Sequence, residues 1–374
     1  MDGLARAQRD LGAKVTVLTT DAFDSNRRAD VEPVRMHQGV RVITVRNVSN
    51  RMAARHQLFL PRGVHGALRD MREPIDVVHL HGHRHLLNNH AVRWAALCEI
   101  PYVLTANGTL LRQERKVGLK WLWDMVLAGH VPKGAERCIS VSAADTARHH
   151  QAGIDVDRVV RIPNGIDLEE FEALPAKGQF RARHAIGPGP IVTYLGRISP
   201  RKGVEHLVAA FAGFDSNDAA FAPTLVIAGA AVAGKQTAAL TNALRQAGQN
   251  VRQVGLVAGQ ERLELLSDTD VLVYPSAHEV FGLVPFEGLL CGAPAVVADD
   301  CGCGELVREA GAGLLVQYGD VEGLSARIRT LLLDRTTADA MVARGRKFVQ
   351  ANLGMQAVAR AHLHLYEQVM EEWR

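Results

Sequence analysis

Short apolar, β-branched runs alternate with segments of helical periodicity along nearly the whole chain. In the first half the runs are KVTVLTT (14–20), VRVITV (40–45), IDVVHLH (75–81), PYVLTA (101–106) and CISVS (138–142). In the second they are IVTYLG (191–196), TLVIAG (224–229), VRQVGL (251–256), VLVYPS (271–276) and AVVAD (295–299). Continuous apolar runs of this length fit parallel strands covered on both faces. Val204, Leu207, Val208 and Phe211, at i, i+3, i+4 and i+7, mark an amphipathic helix between two of them. This is βαβ logic, and the fold class is α/β. At 374 residues and 47% hydrophobic, the chain can bury more than one core. Pro, Gly and charge interrupt the alternation in LPAKGQFRARHAIGPGP (174–190). The expected organisation is two Rossmann-like, doubly wound parallel-sheet domains facing a cleft: 1–170, a linker at 171–189, then 190–354, with a helical tail at 355–374. Sheets of this kind bind ligands beyond the carboxyl ends of their strands, so the loops there carry the functional signal.

A net charge of +3 does not describe a general nucleic-acid binder, and no nucleic-acid partner is expected. The five cysteines are odd in number and scattered, a pattern of reduced thiols in a cytoplasmic compartment. Cys301 and Cys303 lack a second close pair to complete a metal site, and none is assigned. The start, MDGLARAQRD, lacks the apolar core of a signal peptide, and TLVIAGAAVAG (224–234) is too short to span a bilayer. The protein is expected to be cytoplasmic, either free or at the inner face of the plasma membrane.

The stretch HEVFGLVPFEG (278–288) places Glu279 and Glu287 around an apolar turn. Pro285 fits the first turn of a helix starting near Leu283, where its missing N–H costs nothing. Free amides at that helix start attract an anion such as phosphate, and Gly282 lets the backbone approach one. Carboxylates beside a phosphate repel it, so Glu279 and Glu287 call for neutral hydroxyl partners set apart from the phosphates. The matching positive charge follows the strand 191–196, in YLGRISPRKGVEHL: Gly196 permits a close turn, and Arg197 and Lys202 stand in the loop. A diphosphate flanked by two hydroxyl-bearing groups is a nucleotide sugar.

GRISPRKG, the Glu279–Glu287 spacing and GLLCGAPAVVADDCGCGEL (288–306) together resemble the donor-binding signature of family 4 retaining glycosyltransferases of the GT-B fold, the group 1 type of exopolysaccharide and lipopolysaccharide synthesis. IPNGID (162–167) resembles the segment in which that family leaves its N-terminal domain. The resemblance runs from about residue 4 to the C-terminus. It implies a hexosyltransferase that moves a hexose from a nucleoside-diphosphate sugar to a hydroxyl of a lipid-linked or surface-polysaccharide intermediate, with no cofactor and no metal. By the same resemblance Arg197 and Lys202 hold the diphosphate and stabilise the leaving group in place of a metal. Glu279 contacts the transferred sugar, and the amides near Phe281, Gly282 and Leu283 contact the phosphates. Glu287 meets the ribose, and Gly196 and Leu256 complete the donor site, Leu256 at the base. The C-terminal helix is implied to return to the N-terminal, acceptor-binding domain.

In that domain His81, and Asn107, Gly108 and Thr109, end two strands and are the candidate acceptor-binding residues. Many relatives carry His-Gly where this chain has Asn107-Gly108. The departure fits a mechanism in which the departing phosphate oxygen takes the acceptor proton. Histidines 79, 81, 83, 85 and 90 could form a metal cluster, but 79, 81 and 83 read equally as one face of a strand. In 110–129, Arg112, Lys116 and Lys120 form a basic stripe beside Trp121 and Trp123. It reads either as a peripheral membrane contact or as a core helix with a solvated face. The functional alternatives are a nucleotide-sugar epimerase of the same fold, a catalytically silent binding protein, and a glycoside hydrolase using the glutamate pair. The hydrolase leaves Arg197 and Lys202 without a role. The family usually opens with a strand and a glycine-rich loop, whereas DGLARAQRDLGAKVTVLTT resembles its first helix and second strand. The N-terminal domain is therefore expected to lack its first strand, with Met1 an internal start or the mark of a truncated copy and the chain as written impaired.

Overall fold

The protein is described by a computed structural model covering residues 2–374 apart from 57, 72, 111–128, 213, 215–221, 231–237, 247–249, 278 and 301. It divides into two compact units, Met1–Gly165 with Met355–Arg374, and Ile166–Gly354. The basic stripe expected at 110–129 lies almost wholly outside the described residues.

In the first unit, β1 (Thr16–Thr20), β2 (Val34–His37), β3 (Val40–Asn47) and β4 (Pro61–Arg62) form one sheet in the order β1-β3-β2, with β4 beside β3. The β2–β3 hairpin turns on Gln38 and Gly39, both at positive φ (46° and 75°), the backbone of a two-residue type I′ turn. A second sheet, wholly parallel, holds β5 (Val78–His81), β6 (Tyr102–Thr105), β7 (Arg137–Ser140) and β8 (Val159–Arg161) in sequence order. β1 and β5 are each paired on one side only, with β3 and β6, and no described strand joins the two sheets. The helix Asp2–Asp10 packs on both sheets. Its Ala5 joins Val40 and Val42 of the first, while Leu4 joins Val103 and Ile139 of the second.

The C-terminal helix, Met355–Trp373, belongs to this unit and lays Val358, Leu365, Tyr366 and Val369 on Val103, Ile139 and Ile162. His362 sits in the same buried stripe, its ring centroid 5.4 Å from that of His79 in β5. His79 is held between two hydroxyls, Tyr366 Oη at 2.6 Å and Thr105 Oγ1 at 2.7 Å, and stacks on His81 at 4.1 Å. Burial pushes all three imidazoles down, His81 to about 4. The unfolded chain takes up these protons near pH 6.5 and the folded chain refuses them, so stability is full above that pH and falls as the pH drops toward 4. Each histidine contributes up to ~1.4 kcal/mol per pH unit to the slope. Urea unfolding at pH 7, 6 and 5 should show the decline, and His362→Gln should remove one proton from it. A midpoint that does not move between pH 7 and 5 would contradict this burial.

In the second unit, β9 (Ile191–Leu195), β10 (Thr224–Ala228), β11 (Val251–Gly255), β12 (Val271–Tyr274), β13 (Ala295–Ala298) and β14 (Gly313–Val316) form one parallel sheet in the order β11-β10-β9-β12-β13-β14. Alternate residues enter opposite cores. Val192, Tyr194, Leu225, Ile227, Val271 and Val273 pack with the helix Val204–Phe211, while Ile191, Leu195, Val226, Ala228 and Leu272 pack with Leu265 and Leu266 on the other face. Burial on both faces accounts for the unbroken apolar runs in the sequence.

The segment 171–189, expected as a linker, belongs to this unit. Phe180 is fully buried with Leu265 and Leu266, and the amides of Gly178 and Arg181 both donate to the buried carboxylate of Asp268. The chain crosses between units at Gly165–Ile166. Pro and Gly mark turns, and a turn packed against a core carries the same composition as one in a tether.

Candidate functional site

The order of the second sheet places the site. From β9 the chain steps outward to β10 and β11, then returns to add β12 on the other side of β9. Loops leaving β9 and β12 therefore diverge from neighbouring strand ends, the topological switch point at which α/β sheets bind ligands. The β9 loop carries Gly196, Arg197 and Lys202, and the β12 loop carries Glu279 and leads to the helix Val284–Cys291 with Glu287 in its first turn. Charges 77 residues apart in sequence thus meet because strand order makes them neighbours.

The two loops are bonded to each other. The amide of Ala277 donates to the carbonyl of Arg201 at 2.9 Å, and Lys202 Nζ is ion-paired with Glu279 Oε2. The same oxygen accepts from Tyr274 Oη at 3.1 Å and Ser276 Oγ at 3.0 Å. Burial, and then Glu279 itself, push the Tyr274 phenol far above its usual value, so it remains a donor. Gly203 makes the approach possible: its φ is 64°, and a Cβ there would lie 2.2 Å from the carbonyl oxygen of Pro275. Gly229, at the end of β10, is as constrained, since a Cβ would stand 1.8 Å from the oxygen of Gly196. Tyr194 Oη donates to the carbonyl of Arg197 at 2.8 Å, which fixes the β9 loop while the Arg197 side chain is exposed.

Pro285 is the second residue of the helix Val284–Cys291, and Leu283 precedes it as the N-cap with no side-chain cap bond. The amides of Phe286 and Glu287 turn back to the Leu283 carbonyl at 3.0 Å. Phe281 is buried, its ring centroid 6.3 Å from that of Phe286, so only its backbone is offered to a ligand. Glu287 is nearly buried and ion-paired at 2.6 Å with Arg262. Leu256, following β11, is 75% exposed.

In the first unit, His81 ends β5 and Asn107, Gly108 and Thr109 follow β6. Asn107 and Gly108 both have positive φ, 49° and 73°. The Thr109 hydroxyl bonds to both loops. Oγ1 donates to the Ala106 carbonyl at 2.5 Å and accepts from the His83 amide at 3.2 Å, so it ties the two loops together. His79 spends both ring nitrogens on hydroxyls, and among the described residues no group of His, Cys, Asp or Glu is arranged to hold a metal ion. No described helix is long and apolar enough to cross a membrane.

Sequence reasoning missed Tyr274, Ser276 and Arg262. The first two carried a signal: polar groups at alternate positions closing an apolar strand, in VLVYPS. Arg262 carried none, as one basic residue on a helical pattern 25 positions before its partner.

Residues 177–348 match the family described as "Glycosyl transferases group 1", and residues 1–170 match "Glycosyltransferase Family 4". An α-maltose-1-phosphate synthase of Mycobacterium tuberculosis is 32% identical over 318 residues, covering 78% of this chain and 79% of that protein. A 2-deoxystreptamine glucosyltransferase of Streptomyces kanamyceticus is 29% identical over 258 residues, covering 67% and 64%. Among solved structures, Anabaena HepE in complex with UDP has a TM-score of 0.72 at 19% identity over 88% of this chain and 87% of its own. Sucrose-phosphate synthase of Thermosynechococcus elongatus has 0.73 at 24% identity over 99% and 92%. The chain is a member of the group 1 glycosyltransferases and has their GT-B fold.

Proposed function

We propose that the protein transfers a hexose, with retention of configuration and without a metal, from a nucleoside-diphosphate sugar to a saccharide or polyol hydroxyl. A lipid-linked or surface-polysaccharide intermediate is the acceptor class that the family resemblance favours. The observation that carries the reading is the convergence of Lys202 and Glu279 at the switch point, with Tyr274 and Ser276 holding the carboxylate. Arg197 and Lys202 meet the diphosphate and neutralise the charge that develops as it leaves. Glu279 accepts from hydroxyls of the transferred sugar, the amides of Phe281, Gly282 and Leu283 meet phosphate oxygens, Glu287 takes the ribose, and Leu256 lies under the base. His81, Asn107 and Gly108 belong to the acceptor side, with Thr109 holding their loops. Asn107 offers no base, so the acceptor proton passes to the departing phosphate oxygen on the same face, which gives retention.

UDP is the preferred nucleotide, because HepE is described with UDP and with UDP-glucose. A donor-binding protein without turnover is the second reading, favoured by the division of the first unit's strands into two separate sheets. Incubation with UDP- and GDP-hexoses, saccharide or polyol acceptors and EDTA tests both readings. Transfer should persist in EDTA, and the product should keep the donor's anomeric configuration by proton NMR. Inverted product, or activity lost in EDTA and restored by Mn²⁺ or Mg²⁺, would overturn the mechanism; donor binding without turnover would establish the second reading.

A further inference from the structure

Arg262 lies in the helix Gly259–Asp268 and bridges two carboxylates. Its Nη1 donates to Glu287 Oε2 at 2.6 Å, its Nη2 to Glu170 Oε2 at 2.5 Å, and its guanidinium carbon stands 5.7 Å from the centroid of the Phe171 ring. The Arg262 and Glu287 side chains are 20% and 14% exposed, whereas Glu170 is 54% exposed. A planar guanidinium held at both forks and stacked on a ring has little freedom left, and it passes that restriction to the carboxylate it holds.

We propose that Arg262 is a positioning residue of the donor site: by engaging Oε2 it fixes the plane of the Glu287 carboxylate and leaves Oε1 to accept from a ribose hydroxyl. This rests on the reading that Glu287 meets the ribose. Arg262 itself touches no substrate and acts through Glu287. Glu170 and Phe171, just beyond the crossing at Gly165–Ile166, complete the mount, so the segment that enters the second unit helps to shape the nucleotide subsite.

Two consequences separate positioning from a merely structural ion pair. The first is that removing Arg262 should weaken only ligands that present ribose hydroxyls. The second concerns pH. Burial pushes the Glu287 carboxyl up, Arg262 opposes that, and Glu170 adds to it. Cys291, the other titratable neighbour, is pushed up to about 12 by burial and by Glu287, and contributes no charge. Without Arg262 the carboxyl holds its proton to higher pH, so affinity for the ribose hydroxyls should fall as the pH is lowered.

The test is calorimetric titration of UDP and 2′,3′-dideoxy-UDP, with the corresponding GDP pair, into the wild-type chain, Arg262→Met, Arg262→Lys and Glu287→Gln. Thermal unfolding serves as the folding control. Arg262→Met should bind the ribonucleotide about tenfold more weakly. It should bind the dideoxynucleotide as the wild type does, with Arg262→Lys intermediate. As the pH is lowered, the ribo-to-dideoxy affinity ratio of Arg262→Met should begin to fall at a higher pH than that of the wild type; the dideoxy comparator cancels titration of the phosphates. Equal weakening of both ligands, or a ratio that does not respond to Arg262→Met, overturns the proposal. If Glu287→Gln also leaves the ratio at the wild-type value, the ribose assignment has failed beneath it. A wild-type chain that binds neither nucleotide overturns both.

Discussion

Lys202→Ala should lower the rate of sugar transfer by at least ~10²-fold, and Arg197→Ala should do the same, with the fold intact in both. The expectation follows from what develops during the reaction. As the bond from the sugar to the phosphate breaks, negative charge accumulates on the leaving diphosphate, and a fixed cation within contact distance stabilises it more than it stabilises the bound donor. Lys202 is fixed by the 3₁₀ turn Pro200–Lys202, by the Ala277 amide on the Arg201 carbonyl, and by Gly203, whose close approach to Pro275 admits no side chain. The fold should survive, because Glu279 keeps its bonds to Tyr274 and Ser276 when its cation is removed. Transfer rates of the purified variants, read beside their melting temperatures, decide the matter. Near-normal transfer by both variants would sink the assignment.

Substitutions at the two glutamates should have different effects, one on transfer and the other on nucleotide affinity. Glu279→Gln should depress transfer by about 10²-fold and leave affinity for the free nucleoside diphosphate unchanged or slightly raised. Glu279 pairs with Lys202 and so competes with a diphosphate for that cation, and a neutral amide competes less. Glu287→Gln should instead weaken the nucleoside diphosphate by about tenfold, since its carboxylate is mounted on Arg262 rather than on a phosphate-binding cation.

Much of this was legible in the residues because local chemistry dictates it. The ten apolar runs became β1, β3, β5, β6, β7 and β9 to β13, and Pro285 entered the first turn of its helix as its missing N–H requires. Short or half-exposed strands escaped notice. β2 exposes Val34 and Met36, β4 has two residues, and the β2–β3 turn uses Gln38-Gly39 in place of the commoner Asn-Gly. Glu279 and Lys202 could each be picked out, but their contact depends on β12 lying beside β9, and strand order is a tertiary fact that periodicity does not encode. The same limit hid Arg262 from Glu287, and hid the bonds by which the Thr109 hydroxyl joins two loops. The misplaced linker has a different origin, because Phe180 was a lone aromatic among turn residues and nothing local showed the core it fills.

In the proposed site Glu279 and Glu287 flank one nucleotide sugar, one at the sugar and one at the ribose. Titration of UDP and GDP into the wild-type chain, Glu279→Gln and Glu287→Gln, followed by calorimetry, tests it most directly. One nucleoside diphosphate should bind Glu279→Gln at wild-type affinity or tighter and Glu287→Gln about tenfold more weakly. Equal loss in the two variants, or no loss in either, would contradict it.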